Sequence, residues 1–239
     1  MRWKNALLIV DFDKTITIKD TIALLGQFGA DHSTVSKPWS YFTQAYLNDY
    51  RQHQSNINPH NIQSMFQHLH SYKPIELASI ERINHAKVFQ SLTSDMLFNK
   101  AKEYSQTLLQ PDVISVLQSY PKSDIRIVSV NWSKDWILGF LHSLNLSRHQ
   151  IYANDIQSGH IVPSIVTSGD KQQTIENIKN DKKVIYVGDS LGDLEPLVKA
   201  DLGIVIGQDP SLIQAIHDYG LDNLYCVDHW LQIKEMIMS

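Results

Sequence analysis

The chain has 239 residues, enough to bury a full core either as one domain with an insertion or as two small domains. Its 43% hydrophobic and 19% charged residues exclude a disordered or fibrous chain, and a net charge of −4 gives no sign of the basic patch that nucleic acid or an anionic membrane would need, so neither is expected as a partner. One cysteine, Cys226, excludes an internal disulfide, suits a reducing compartment and is expected to be a buried, inert thiol.

The first element is the run ALLIV at residues 6–10, which reads as a buried strand and stops on two carboxylates, Asp11 and Asp13. Five apolar residues are too few for a signal-peptide core or a membrane span, and no longer run follows, so the protein is expected in the cytosol. From about residue 20 to about 105 the patterns are helical, as in DTIALLGQF, SMFQHLHSY and PIELASIERINHAKVFQSL, with no convincing strand. Such helices must bury their apolar faces on each other or over a sheet, so residues 20–105 are expected to form a helical cap inserted into an α/β core made of 1–19 and 106–239. Within it, KPWSYFTQAYLNDY gathers Trp39, Tyr41, Phe42, Tyr46 and Tyr50, which read first as cap core. His68 and His70 lie on a predicted helix at a spacing that points them apart, so they read as solvated rather than as metal ligands.

A helix follows over 111–119 with Pro111 in its first turn, then a strand in IRIVSV, then a helix over 133–143 after the cap candidate Ser133. In IYANDIQSGHIVPSI the Ser158–Gly159 pair between two short extended runs reads as a hairpin turn. A helix over 170–179, the strand VIYVG, a helix over 191–199 and the strand LGIVI complete the pattern. Strand and helix alternate, so the expected class is α/β: a Rossmann-like, doubly wound parallel sheet with the helical cap inserted.

Ligands of an open α/β sheet bind beyond the carboxyl ends of its strands, where loops and helix N-termini converge. Asp11 sits at that end of the first strand, Ser129 near the end of IRIVSV, and Asp189 after VIYVG, with Asp193 four residues on; Lys171 precedes or opens a helix. These side chains can therefore meet on one rim. Taken singly each has a plainer reading: turn-forming acids for Asp11 and Asp13, a backbone-bonded hydroxyl for Ser129, a solvated lysine for Lys171, and helix N-terminal acids for Asp189 and Asp193.

DFDKTIT, SVNWS, the lysine of SGDKQQTI and GDSLGDLEPL, in this order and after these elements, resemble motifs one to four of the haloacid dehalogenase superfamily. The helical insert between the first two motifs resembles the branch typified by phosphoserine phosphatase. Such a resemblance implies a phosphatase for a small phosphorylated metabolite. A phosphomonoester dianion repels nucleophiles, so Asp11 could attack phosphorus only if a cation offset the negative charges, and Mg²⁺ fits as a hard ion that prefers oxygen. By resemblance, Mg²⁺ is held by the Asp11 carboxylate, the Asp13 backbone carbonyl and Asp189, with Asp193 in or just behind that set. Lys171 would hold the phosphoryl oxygens and orient Asp11, while Ser129 and nearby backbone N–H groups would bind the phosphoryl group. Asp13 would protonate the leaving alcohol and then activate water.

Thr15 is expected to fix the turn after the strand, and Gly188 to let the backbone approach the metal region. Substrate contacts are expected from Ser129, Asn131, Trp132 and Lys171, with Trp132 able to stack on a heteroaromatic group. SVNWSKDWI also resembles phosphatases of plants and fungi that act on thiamine monophosphate. Two other readings share the nucleophile: a phosphomutase, and a receiver-like signalling module, for which a cap and a second acid have little use. An ion-pump reading with Asp13 as nucleophile fails for want of a membrane span. Nothing in the sequence bears on oligomeric state.

Overall fold

The computed structural model describes residues 3, 5–54 and 59–238. Strand β1 (Leu7–Val10) leads into five helices: α1 (Ile22–Asp31), α2 (Trp39–Gln54), α3 (Ile62–His70), α4 (Lys73–His85) and α5 (Ser94–Leu108). The chain then returns to alternation through α6 (Val113–Gln118), β2 (Ile125–Val128), α7 (Lys134–Phe140), β3 (Ile151–Tyr152), the hairpin β4 (Asp155–Gln157) and β5 (His160–Val162), and α8 (Ser168–Ile178). It closes with β6 (Val184–Gly188), α9 (Leu194–Lys199), β7 (Leu202–Ile206), α10 (Pro210–Asp218), β8 (Tyr225–Val227) and α11 (Trp230–Met238).

Six strands form one parallel sheet in the order β3-β2-β1-β6-β7-β8. Val10 stands opposite Ile127 on one side and Val187 on the other, so β1, β2 and β6 end level and release Asp11, Ser129 and Asp189 on the same rim. Leu8 and Val10 join Ile125, Ile127 and Ile204 in one buried layer, while Leu7 and Ile9 join Val184 and Val205 in the other. Burial on both faces is why these strands are continuous apolar runs rather than alternating ones.

The two chain crossings between sheet and helical insert are tied together: Ile18 N–H donates to the Leu108 carbonyl at 2.9 Å and Gln110 N–H to that of Ile16 at 2.8 Å. Apolar residues of the insert, among them Ile80, Ile83, Phe89 and Leu97, belong to the same buried cluster as Leu8 and Val10. Helix α5 lies along α7 so closely that a Cβ at Gly139 would overlap the Phe98 carbonyl.

The hairpin turn at Ser158 and Gly159 is present, both residues with positive φ (49° and 78°), as a tight antiparallel turn requires. Three expectations need correction. The helical reading of 74–92 holds only to His85: Lys87 takes a positive φ of 59°, the Asn84 side chain bonds both the N–H (2.8 Å) and the carbonyl (2.9 Å) of Ile161, and Val88 and Phe89 turn into the core. Cys226 is exposed, because β8 is the sheet's edge strand and presents Tyr225 and Cys226 to solvent. His68 is only half-exposed, packing edge-on against Tyr72 and beside His53, while His70 is exposed and reaches Glu195 at 2.5 Å. None of the described helices is long and apolar enough to cross a membrane.

Candidate active site

After β1 the backbone turns sharply at Lys14, whose φ of 60° lies in the left-handed region. Asp11 and Asp13, both ahead of that turn, have different surroundings. Asp11 is buried and accepts from Lys171 Nζ at 2.6 Å and from the Thr15 hydroxyl at 3.2 Å. Thr15 also lies 3.1 Å from an Asp189 oxygen, so one hydroxyl spans the acids of two neighbouring strands, as befits the support role read for it. Lys171, in the first turn of α8, bonds Asp193 at 2.7 Å as well.

Asp193 is fully buried and its two oxygens are densely engaged. One accepts from Lys171 and from the Tyr186 hydroxyl at 2.6 Å; the other from the Asp189 N–H (3.2 Å), the Ser190 N–H (3.3 Å) and the Ser190 hydroxyl (3.1 Å). A Cβ at Gly188 would stand 2.5 Å from Asp193 Cγ, so glycine is needed there for close approach, as the sequence implied.

Carboxylate oxygens of Asp11, Asp189 and Asp193 lie within 4.8 Å of one another, all three residues buried. The Lys171 ammonium bonds two members of this triad, Asp11 and Asp193. Burial raises the Asp11 pKa well above the usual carboxylate range, only partly offset by Lys171. Burial and Asp193 raise Asp189 to about 7. Burial opposes the charge on Lys171, but Asp11 and Asp193 more than compensate and hold its pKa above the ordinary value. A hard divalent cation fits such a donor set: oxygen ligands only, with more negative charge than one lysine can balance.

Asp13 has a contrasting shell of neutral donors. One carboxylate oxygen accepts from the Thr21 N–H (2.7 Å) and hydroxyl (2.6 Å), the other from the Asn131 side chain at 2.8 Å. Burial, then Asp20, raise its pKa to about 6 against the pull of these hydrogen bonds. Ser129 sits just past β2, with its N–H on the Tyr152 carbonyl and its hydroxyl accepting from the Asn131 N–H at 3.1 Å. Trp132 is partly buried and meets Trp39 of α2 and Phe89 edge-on, at ring separations of 6.1 and 6.4 Å.

The fold thus brings Asp11, Lys171, Asp189 and Asp193 into direct or near contact and joins Asp13 to Asn131 by a hydrogen bond. Sequence reasoning missed Thr21 and Tyr186. Thr21 looks like a helix cap in DTIALL, and Tyr186 like one more large residue in VIYVG; a hydroxyl inside an otherwise apolar strand was the only available signal.

No protein-family model matches the chain. It is 25% identical to Cold tolerance protein 1 of Saccharomyces cerevisiae, over 80% of this chain and 74% of the yeast protein. It is 23% identical to the Bifunctional TH2 protein, mitochondrial, of Arabidopsis thaliana, matching 91% of this chain but spanning only 42% of that protein. Among solved structures, a phosphoserine phosphohydrolase-like protein from Francisella tularensis superposes with a TM-score of 0.58 at 18% identity, covering 98% of this chain and 100% of that one. Cytosolic 5'-nucleotidase IIIB bound to cytidine gives 0.58 at 14% identity (98% and 84% covered), and a phospho-aspartyl intermediate analogue of phosphoserine phosphatase 0.54 at 13% (97% and 98%). The chain shares the fold of these solved structures, a parallel α/β sheet into which a run of helices is inserted.

Proposed function

We propose that the protein is a Mg²⁺-dependent phosphatase that hydrolyses a small-metabolite phosphomonoester through an aspartyl phosphate on Asp11. The observation that carries this reading is the gathering of Asp11, Asp189 and Asp193 about Lys171, with Asp13 held apart by neutral donors. Mg²⁺, held by Asp11, Asp189 and the Asp13 carbonyl, would supply positive charge beside the nucleophile and the phosphoryl group. Asp193, already saturated with protein donors, would orient Lys171 and the Asp189 loop.

An Asp11 oxygen attacks phosphorus as the bond to the alcohol oxygen breaks, and that oxygen takes a proton from Asp13. Asp13, now a carboxylate, takes a proton from water whose oxygen attacks the aspartyl phosphate; the bond from phosphorus to Asp11 breaks and inorganic phosphate leaves. Lys171 keeps Asp11 oriented and its charge offset, and Ser129 with the adjacent loop N–H groups receives the phosphoryl oxygens. Residues 20–105 act as the cap over this rim.

Trp132 and Trp39 beside the Asn131 loop favour a heteroaromatic substrate such as thiamine monophosphate, in keeping with the likeness of SVNWSKDWI. The test is a phosphate-release screen over thiamine monophosphate, pyridoxal phosphate, phosphoserine, nucleotides and sugar phosphates, with and without Mg²⁺. Turnover of at least one, lost with EDTA, is expected; a stable phosphoprotein or a transferred phosphoryl group in place of free phosphate contradicts hydrolysis.

A further inference from the structure

Thr21 caps α1 yet makes no capping bond with its own side chain; Asp20 accepts the Ile22 N–H instead, at 2.8 Å. A cap hydroxyl ordinarily accepts from an N–H of the first turn. Here it faces three other groups. Indole N–H can only donate, and Trp136 Nε1 lies 3.1 Å from the Thr21 oxygen. The Asn131 side-chain amide donates to the same oxygen at 3.2 Å. With its acceptor sites taken, the Thr21 hydroxyl must direct its own hydrogen to Asp13 Oδ1, 2.6 Å away.

The indole cannot readily turn away. Trp136 is fully buried, wedged between Phe140 of its own helix, Phe28 of α1 and Tyr104 of α5, at ring separations of 5.9, 6.4 and 5.7 Å. Asp13 Oδ1 therefore receives two donors from one residue, the Thr21 N–H and hydroxyl, and has no room for a proton of its own. Its partner Oδ2 accepts a single bond among the described residues, from Asn131, and keeps a free position.

We propose that Thr21, with its hydroxyl direction set by Trp136, is a positioning residue that commits Asp13 Oδ1 to the scaffold and leaves Oδ2 as the oxygen that exchanges a proton with the leaving group. The inference rests on the phosphatase reading and on Asp13 as its acid. Thr21 touches neither substrate nor phosphorus in this scheme; it acts through Asp13.

The test compares kcat/KM, which reports the steps up to alcohol departure, for 4-nitrophenyl phosphate and phenyl phosphate with Mg²⁺. The second leaving group is the more basic and depends more on protonation. For Thr21→Val the loss on phenyl phosphate should exceed that on 4-nitrophenyl phosphate by about tenfold. Trp136→Phe, which keeps the ring and removes the N–H, should give the same bias at about threefold, and Thr21→Ser should restore near-wild-type selectivity. Equal losses on both probes, in Thr21→Val and Trp136→Phe alike, would mean a merely structural role and overturn the inference. Asp13→Asn separates the two levels: if it biases strongly against phenyl phosphate while the Thr21 and Trp136 variants do not, only the positioning role falls; if it shows no bias, the acid assignment falls and takes the inference with it.

Discussion

Asp11 and Asp13 are the same residue type two positions apart, and the fold surrounds them in opposite ways. Asp11 is placed among charges, with Lys171 on one side and Asp189 and Asp193 close by; Asp13 is placed among neutral donors, Thr21 and Asn131. The first setting keeps a carboxylate as a carboxylate once a cation arrives. The second leaves a carboxyl group near pKa 6, able to give and regain a proton near neutrality. A left-handed residue, Lys14, follows both acids in the chain; beyond it, Thr15 reaches back to Asp11 and Thr21 to Asp13.

The contrast breaks most sharply at Asp11. Asp11→Asn should lower turnover by about four orders of magnitude or more, since no other carboxylate can take its place in line with phosphorus. Its thermal midpoint without metal should not fall, because the substitution removes one buried charge from a cluster of three acids. Phosphate release and a melting curve on the same preparation check both halves; retained activity would remove Asp11 as nucleophile.

Next in size is the response to the cation. Saturating Mg²⁺ at about 100 times its dissociation constant should stabilise the wild type by about 2.7 kcal/mol, a rise of roughly 5–10 °C in Tm for a chain of this size. Asp189→Asn should lose most of that rise. Asp13→Asn should keep it, because Asp13 would contribute only its backbone carbonyl to the metal. A thermal-shift titration of the three proteins reads the difference directly, and equal shifts in all three would erase the distinction between the two sides.

A half-buried carboxyl away from this rim, Glu76 of α4, sharpens the comparison with the smallest effect. Among the described residues no cation pairs with it, and it accepts from the Tyr46 hydroxyl at 2.7 Å. Burial raises its pKa to about 7, against the opposing pull of Tyr46. A raised carboxyl pKa stabilises the fold fully below the unfolded-state value near 4.5, and that contribution disappears as pH rises through about 7. Glu76→Gln should therefore flatten the fall in Tm between pH 5 and pH 8 by a few degrees. An unchanged slope would show that Glu76 is ionised in the folded protein throughout.

Most of the rim was legible in the sequence because position relative to a strand end is a local property. An apolar run that stops on Asp11, on Ser129 or on Gly188 and Asp189 places those residues without knowledge of any contact. Lys171 was legible only as a residue near a helix start, and its approach to Asp11 depends on how α8 packs on the sheet. Thr21, Trp136 and Tyr186 were not legible at all, since their roles arise from contacts made across the fold. The same reason explains two wrong expectations: Cys226 is exposed because its strand lies at an edge, and His68 is packed because α2 and α4 approach it. Neither neighbour is written in the local pattern.

The most direct measurement is acid quenching of the Asp13→Asn protein during turnover of 4-nitrophenyl phosphate, followed by peptide mass analysis. The good leaving group lets the nucleophile act, and the missing base slows release of the intermediate. One phosphoryl group on the peptide bearing Asp11, assigned to that side chain, is the predicted result. A phosphoryl group on another residue, or turnover with no covalent species at any quench time, would contradict the division of labour between Asp11 and Asp13.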